Sequence, residues 1–162
     1  MKINKEIQER VEQNSFAVEE MVNQIVDKYT SELDRYVNKI KNVLESGEEL
    51  ELNDLNQIMI RLCSYAYFLS SKQELIGIRK DISESIKDEK YNQVYMNLSV
   101  GTVANKTAKA EEESKEEAIV GLIYDRAYKI MKNKYDSTVR LVDATKKIIS
   151  SRISVAELGL KE

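Results

Sequence analysis

Residues 55–98 read LNQIMIRLCSYAYFLSSKQELIGIRKDISESIKDEKYNQVYMNL and contain no proline. Apolar side chains recur along this stretch mostly three or four residues apart, the spacing that places side chains on one face of an α-helix. Ser71 and Glu74 have the spacing of a capping box, which could start a second helix. Because the apolar spacing passes through Ser71 without changing phase, the stretch predicts one continuous helix. The recurring apolar positions are Leu55, Ile58, Met59, Leu62, Tyr65, Leu69, Ile76, Ile82, Ile86, Tyr91, Tyr95 and Leu98.

Glycine-containing breaks bound this helix on both sides. The segment 46–49 (SGEE) precedes it, and Asn53 is the predicted N-cap because its side chain can accept a hydrogen bond from the first turn. The segment 99–101 (SVG) follows it, with Thr102 as the predicted N-cap of the next helix. Apolar residues also recur at helical spacing before the first break and after the second. The sequence therefore predicts three helices, over about 3–45, 54–98 and 103–157.

Composition restricts the fold class. The chain has 162 residues, five glycines and no proline. A proline inside a helix costs about 3 kcal/mol, and proteins built of strands need turn residues every ten or so positions. So few turn residues favour an all-α fold. Helices of roughly 40 to 50 residues are about 60 to 80 Å long. We therefore predict a single elongated domain over residues 1–162, with long antiparallel helices in a coiled-coil-like bundle.

One segment of the third predicted helix is apolar on every side. Residues 118–124 read AIVGLIY and carry no charge. A helix that is apolar around its whole circumference has to be covered on every side, and three helices of one chain leave one flank uncovered. We therefore predict that homo-oligomerisation completes the bundle.

The residue types needed for enzyme chemistry are scarce. The chain has no histidine, which removes the commonest general base and metal ligand, and its single cysteine cannot form an internal disulfide or a thiolate zinc site. Cys63 lies in an apolar stretch, and we expect it to pack as a buried structural thiol. The acidic segment 111–117 is interpreted as helix surface charge, because di-metal bundles need Glu-x-x-His pairs. We expect no enzymatic activity, metal, cofactor or small-molecule substrate.

The sequence indicates a cytoplasmic protein, in the host cell cytoplasm if the source is viral. Residues 1–6 (MKINKE) lack the apolar core of a signal peptide, and the segment 118–124 is far too short to span a membrane. We therefore expect no membrane partner. The net charge of −3 gives no overall attraction to nucleic acid, so a nucleic-acid site has to be a local cluster.

One such cluster surrounds Gly101. Lysine side chains neutralise phosphates and tyrosine rings stack on unpaired bases, which are the two requirements of single-stranded nucleic acid. If the chain folds back at Gly101, the residues on its two sides come near each other at an exposed tip. The candidate nucleic-acid-binding residues, which we call the Gly101 cluster, are Lys87, Lys90, Tyr91, Tyr95, Lys106 and Lys109.

A second stretch rich in lysine, arginine and tyrosine covers residues 124–152. Acids lie four residues before Lys129, Arg140 and Lys147, which is the favourable order, so this face is interpreted as solvated and partly neutralised. Lys134 and Arg152 fall instead among apolar positions, where a charge needs a partner. Acids of a neighbouring subunit or phosphates could supply that partner, and we favour a structural role.

Three stretches resemble the UvsY-type recombination mediators of phages. The stretches are 90–95 (KYNQVY), 101–104 (GTVA) and 141–152 (LVDATKKIISSR). The resemblance covers roughly residues 65–158. It implies an oligomeric accessory protein that binds single-stranded DNA and helps load a recombinase. In that family the segment before the glycine turn is richly basic, whereas here Asp88 and Glu89 lie beside Lys90.

Two hypotheses of function follow. The first is a phage-type accessory protein of DNA recombination or replication that binds single-stranded DNA and helps load a recombinase. The alternative is a helical oligomeric protein-binding module, such as a phage scaffold or an inhibitor of a host or defence protein, with no nucleic-acid role. The sequence pI of about 5.3 and the apolar segments fit the alternative equally well.

Overall fold

The computed structural model contains four α-helices. It describes residues 5–47 and 49–159, with the side chains of residue 12 and of residues 15 onward. Within these ranges no residue lies in a strand, so the all-α prediction is confirmed. The helices are α1 (Lys5–Glu45), α2 (Leu52–Asn97), α3 (Val103–Glu113) and α4 (Lys115–Gly159). The predicted start of the first helix, Ile3, lies outside the described residues. The coiled-coil packing and the homo-oligomer stay predictions.

The loop between α1 and α2 contains a glycine in a left-handed conformation. Gly47 has φ +74°, which a residue without a Cβ adopts at low cost, and its N–H donates to the Leu44 carbonyl at 3.4 Å. The predicted N-cap at Asn53 is wrong, because α2 begins one residue earlier, at Leu52. The Glu51 N–H donates to Asp54 Oδ2 at 3.1 Å, which is the acidic half of a capping box.

The prediction that α2 is continuous through Ser71 is confirmed, but the apolar positions do not all face one core. Ile76 is fully buried, whereas Ile82 and Ile86 are about half exposed. At 3.6 residues per turn, position 83 returns to the face of Ile76 and position 82 does not. Ser83 is accordingly buried. The apolar residues of α2 do recur every three or four positions. The prediction that they keep the same phase along the whole helix is wrong.

The third predicted helix is divided at Ser114 into α3 and α4. Its start is confirmed, because the Thr102 side chain accepts a hydrogen bond from the Asn105 N–H at 3.3 Å. Ser114 is buried, and its hydroxyl donates to the Ala110 carbonyl at 2.8 Å. A serine that bonds to the carbonyl four residues earlier often bends a helix. Backbone bonds still run through the division, from Ala118 N–H to the Ser114 carbonyl at 3.0 Å.

The chain divides into two compact units whose boundaries fall inside α1, α2 and α4. The first unit contains Met1–Val26 and Glu74–Lys129, and the second contains Asp27–Gln73 and Ile130–Glu162. Each unit combines segments that are remote in sequence. The buried apolar residues of the first unit are Val22, Val26, Ile76, Val94, Ala110, Ile123 and Ala127. Those of the second unit are Leu33, Leu55, Leu62, Ala66, Leu69, Met131 and Ile149.

In the first unit, Asp125 joins two cations. Its carboxylate lies 2.6 Å from Lys129 Nζ and 3.5 Å from Lys80 Nζ, so the predicted pairing of Asp125 with Lys129 is confirmed. The hydrogen bond from Lys129 holds the pKa of Asp125 below its usual value against the opposing effect of burial. Nearby, α2 and α4 pack closely, because a Cβ on Gly77 would lie 3.2 Å from the Tyr128 ring.

In the second unit, both charges that fall among apolar positions, Lys134 and Arg152, have partners within the chain. Lys134 Nζ pairs with the Asp34 carboxylate and donates to Thr30 Oγ1 at 2.9 Å. Arg152 donates to the Leu50 carbonyl. Both contacts are structural, as we favoured. The expectation of a buried Cys63 is wrong, because this thiol lies on the exposed side of α2 beside buried Leu62.

Candidate nucleic-acid interface

The Gly101 cluster lies in the first unit, at the end of α2 and along α3. Gly101 has φ +129°, and a Cβ there would lie 3.9 Å from Lys106 Cγ, so the Lys106 stem lies close to the turn. The Tyr91 and Tyr95 rings stack on each other at 6.2 Å between centroids and 15° between planes. Among the described residues, no hydrogen bond or ion pair joins the cluster members on α2 to those on α3.

The lysines of the Gly101 cluster are partly neutralised. Lys87 lies 3.8 Å from the Asp88 carboxylate, and Lys109 lies 3.9 Å from the Glu113 carboxylate. These pairs are exposed and therefore weak, but they reduce the positive potential that a phosphate meets. The structure gives this cluster an aromatic stack and a local charge that is close to balanced.

A stronger combination of cations and aromatic rings lies in the second unit. Three adjoining depressions run between α1 and α2, the first of about 330 Å³. We call this surface the α1–α2 groove. The basic residues of the groove are Lys28, Arg35, Lys39, Arg61 and Lys72, and the aromatic residues are Tyr29, Tyr36, Tyr65 and Phe68.

Helical spacing explains why these side chains come together. Residues 28, 32, 35 and 39 of α1 are separated by four, three and four positions, and so are residues 61, 65, 68 and 72 of α2. Each set therefore lies on one face of its helix. The two sets run in opposite directions, because Lys28 and Lys72 share one depression while Lys39 and Arg61 share another.

The centre of the groove is an aromatic pair with a cation against it. The Tyr36 and Tyr65 rings are 5.7 Å apart with a tilt of 42°, and the Arg61 guanidinium lies 5.6 Å from the centre of the Tyr36 ring. Burial raises the pKa of Tyr36, while Arg61 lowers it and Tyr65 raises it by smaller amounts. Tyr36 is therefore neutral at pH 7 and presents a hydroxyl and a half-buried ring face.

The cations of the groove have no carboxylate partner among the described residues. None of the five makes an ion pair within the part of the chain that the structure describes, and Arg35 donates only to the Ser31 carbonyl. The groove also contains two carboxylates, Glu32 and Asp54. Five positive charges against two negative ones leave an excess of three. This excess contrasts with the Gly101 cluster, where two of the four lysines are paired, and with the net charge of −3 of the chain.

The rim of the groove exposes a large ring. Phe68 is 64% exposed and shares a depression with Lys28 and Lys72. Tyr67, the next residue, is 71% exposed but does not line the groove. Exposed apolar groups next to charges are typical of binding surfaces, because such a ring costs free energy when it stays in water.

Sequence reasoning missed the α1–α2 groove. Tyr29 and Tyr36 fit the apolar spacing of the first helix, so the sequence alone does not set them apart from its core-facing residues. The cations of α1 and α2 lie on opposite sides of the Gly47 loop, so no short stretch is noticeably basic. The groove could have been predicted from the matching four, three and four spacing of the two sets on α1 and α2, if the two helices are folded back against each other at Gly47.

Comparison with protein-family models, with curated proteins and with solved structures finds no match to this chain. Across residues 5–47 and 49–159 no group of three or more cysteine, aspartate and glutamate side chains is arranged to hold a metal ion. Of the four described helices, none combines the length and the apolar character needed to cross a membrane.

Proposed function

We propose that this protein binds single-stranded DNA as an accessory protein of DNA recombination or replication, of the kind that helps load a recombinase. The observation that carries the DNA-binding part is the α1–α2 groove, where five cations that make no ion pair with a described residue border four aromatic rings. The accessory role is supported by the resemblance to the UvsY-type mediators. The role is one of binding and assembly, without catalysis.

The dimensions of the groove suit a short single strand. Lys28 and Lys39 are eleven residues apart on α1, which is about 16 Å along the helix. With phosphates 3.4 Å apart or more, at most about five phosphates fit along this length. Five cations are available to them. Salt-dependent binding of about three to five phosphates is therefore the electrostatic expectation.

The aromatic rings favour a single strand over a duplex. Stacking needs a base whose face is free, and the bases of a duplex are already stacked on their neighbours. Phe68 at the rim and Tyr36 with Tyr65 in the centre offer rings at two levels of the groove. A single strand can contact the rings and the cations together, whereas a duplex can contact only the cations.

The Gly101 cluster stays a predicted second contact for the strand. Its stacked Tyr91 and Tyr95 rings support a role in base contact, while the acids beside Lys87 and Lys109 reduce its attraction for phosphates. We assign it a smaller share of the binding free energy than the groove.

The test is fluorescence anisotropy of a labelled single-stranded oligonucleotide at several salt concentrations. Lys28→Gln with Lys72→Gln is expected to weaken binding and to lower the slope of log K against log salt by about 1.4, two cations at about 0.7 each. The matched control is Lys41→Gln, which removes an exposed charge of α1 paired with Glu45 outside the groove. Lys106→Glu with Lys109→Glu measures the share of the Gly101 cluster.

The proposal fails if the unmodified protein shows no salt-sensitive binding to the oligonucleotide at low salt. If binding occurs but Lys28→Gln with Lys72→Gln has no more effect than the Lys41→Gln control, DNA binding stands and the groove is wrong as its site.

A protein-binding module without a nucleic-acid role is the second candidate. Its support is an apolar depression on the exposed side of α2 in the second unit, where Ile60, Cys63 and Tyr67 are exposed next to Met59. Copurification of a stoichiometric protein without nucleic-acid absorbance, together with loss of that protein on Ile60→Lys, supports this candidate over the first.

A further inference from the structure

One carboxylate of the α1–α2 groove has no bonding partner among the described residues. Glu32 lines two of the adjoining depressions, and it makes no hydrogen bond or ion pair with a described residue. The other carboxylate of the groove, Asp54, already accepts a hydrogen bond from the Glu51 N–H at 3.1 Å. Glu32 therefore has both of its oxygens available to a strand that binds in the groove.

The cations beside Glu32 on α1 make other contacts. Lys28 and Arg35 lie four residues before and three residues after Glu32, a spacing at which opposite charges often pair on a helix. Lys28 Nζ instead lies 5.6 Å from the centre of the Tyr29 ring, and Arg35 Nε donates to the Ser31 carbonyl at 3.3 Å. Along the helix axis the two cations are about 6 Å and 4.5 Å from Glu32. Phosphates held by these cations lie on either side of Glu32, and the base between them meets the carboxylate.

Glu32 and Phe68 lie at the same level of the groove. Lys28 and Lys72 share the depression at one end. Because α1 and α2 run in opposite directions, four residues inward from this pair lead to Glu32 on α1 and to Phe68 on α2. Both residues line the same depression as the two lysines, and Phe68 is 64% exposed. A base that stacks on the Phe68 ring therefore has its hydrogen-bonding edge within reach of the Glu32 carboxylate.

A carboxylate in this position distinguishes between bases by their hydrogen-bond donors. It has two acceptor oxygens and no donor. Among the DNA bases, guanine has two adjacent N–H donors on its Watson–Crick edge, at N1 and N2, and they match the two oxygens of a carboxylate. We propose that Glu32 makes the groove select guanine at the base position beside Phe68. This inference rests on the proposed function, because it requires that the groove binds a single strand with a free Watson–Crick edge.

The same carboxylate disfavours thymine. The single N–H donor of thymine lies between two carbonyl oxygens, which a carboxylate repels. Cytosine and adenine each have one amino group on this edge, beside a ring nitrogen that accepts hydrogen bonds. The expected order of affinity is therefore guanine first, cytosine and adenine next, and thymine last. Attraction of one base and repulsion of another act together in this selection.

The experiment compares three labelled oligonucleotides of about six nucleotides, whose roughly five phosphates fill the groove, by fluorescence anisotropy with the full-length protein at low salt. The first contains thymine throughout, the second has one central guanine, and the third has inosine in place of that guanine. Inosine is also a purine and keeps N1–H, but it lacks the amino group at position 2, so it separates hydrogen bonding from stacking. The guanine probe is expected to bind about three- to tenfold more tightly than the thymine probe, and inosine is expected to lose most of this gain.

Glu32→Gln tests the residue. An amide has one acceptor oxygen and an NH₂ donor, so it bonds guanine, inosine and thymine alike, and the difference between the three probes is expected to disappear. The matched control is Glu45→Gln, which removes the same charge from α1 at its pair with Lys41 outside the groove and is expected to keep the guanine preference. Equal affinity of the unmodified protein for the three probes, or a guanine preference that Glu32→Gln keeps, overturns this inference while DNA binding stands. Absence of binding to every probe overturns the inference together with the proposed function.

Discussion

The Arg61 guanidinium on α2 lies 5.6 Å from the centre of the Tyr36 ring on α1. A guanidinium over an aromatic face stabilises the contact electrostatically while its N–H groups stay available to other acceptors. Arg61 is exposed, and Tyr36 is half buried against Tyr65, so the pair presents a cation in front of a ring in the centre of the α1–α2 groove. A nucleotide that binds there meets both groups that the proposed function requires.

Tyr36 is expected to make stability fall at alkaline pH. Because burial raises its pKa in the folded protein, the folded state binds the phenolic proton more tightly than the unfolded state does. The resulting stabilisation is fully present below the ordinary tyrosine pKa near 10 and is lost as pH rises through the folded value. Urea denaturation at pH 8 and at pH 10.5 measures it. The free energy of unfolding of Tyr36→Phe is expected to decrease less between these two pH values than that of the unmodified protein.

Phe68 and Tyr67 provide a matched test of base stacking. Both rings are exposed and adjacent in sequence, but only Phe68 lines the groove. Stacking of one base on an aromatic ring contributes about 1 to 3 kcal/mol, so Phe68→Ala is expected to weaken single-strand affinity by about fivefold or more. Tyr67→Ala is expected to change it by less than about twofold. Equal losses in the two variants contradict the assignment of Phe68, and the salt slope is expected to stay the same in both.

The main features of the fold were predictable from periodicity, because long helices need only spacing, caps and few breaks. The Thr102 cap, the continuity of α2 and the turn at Gly101 all depend on local residue chemistry that a single stretch displays. The division at Ser114 was missed because it depends on one buried hydroxyl. Whether a serine in a helix bonds to the carbonyl four residues earlier depends on its side-chain rotamer, and the sequence does not give that rotamer.

The candidate site was harder to predict, because it is assembled from two helices. Tyr36 and Arg61 are separated by 25 positions in sequence, and neither lies in a basic stretch. The expected burial of Cys63 failed for a related reason. Residues 62, 66 and 69 form the buried face of α2, and position 63 is one residue, or about 100°, away from it. Apolar content predicted burial of the segment but did not tell which side of the helix faces the core.

Asp125 is expected to contribute stability that disappears in acid. Its pKa is lowered, first by the hydrogen bond from Lys129 and further by the charges of Lys129 and Lys80, with burial opposing them. A lowered folded pKa gives stabilisation that is present above the ordinary aspartate pKa and is lost as pH falls through the folded value. Asp125→Asn is therefore expected to reduce the free energy of unfolding at pH 7 by less than about 1 kcal/mol. The difference is expected to shrink as pH falls below about 4. A constant difference between pH 7 and pH 3 contradicts an electrostatic origin.

Lys134, Asp34 and Thr30 form a polar triangle whose members depend on one another. Thr30 is fully buried, and its hydroxyl donates to Asp34 at 3.0 Å while it accepts from Lys134 at 2.9 Å. Asp34→Ala removes the only carboxylate that pairs with Lys134 among the described residues, and is expected to cost about 1 to 3 kcal/mol. Lys134→Met keeps the apolar stem and the bond between Thr30 and Asp34, so its cost is expected to be smaller.

The double variant measures how the two charges of this triangle interact. Removing both Asp34 and Lys134 leaves no unpaired charge in the second unit at this position, so the double variant is expected to lose less than the sum of the single losses. The coupling from urea denaturation is expected to be about 0.5 to 3 kcal/mol. A coupling near zero means that solvent replaces either partner without penalty. In that case the apolar stem of Lys134 packs among apolar residues while its ammonium group reaches solvent, and its ion pair contributes little to stability.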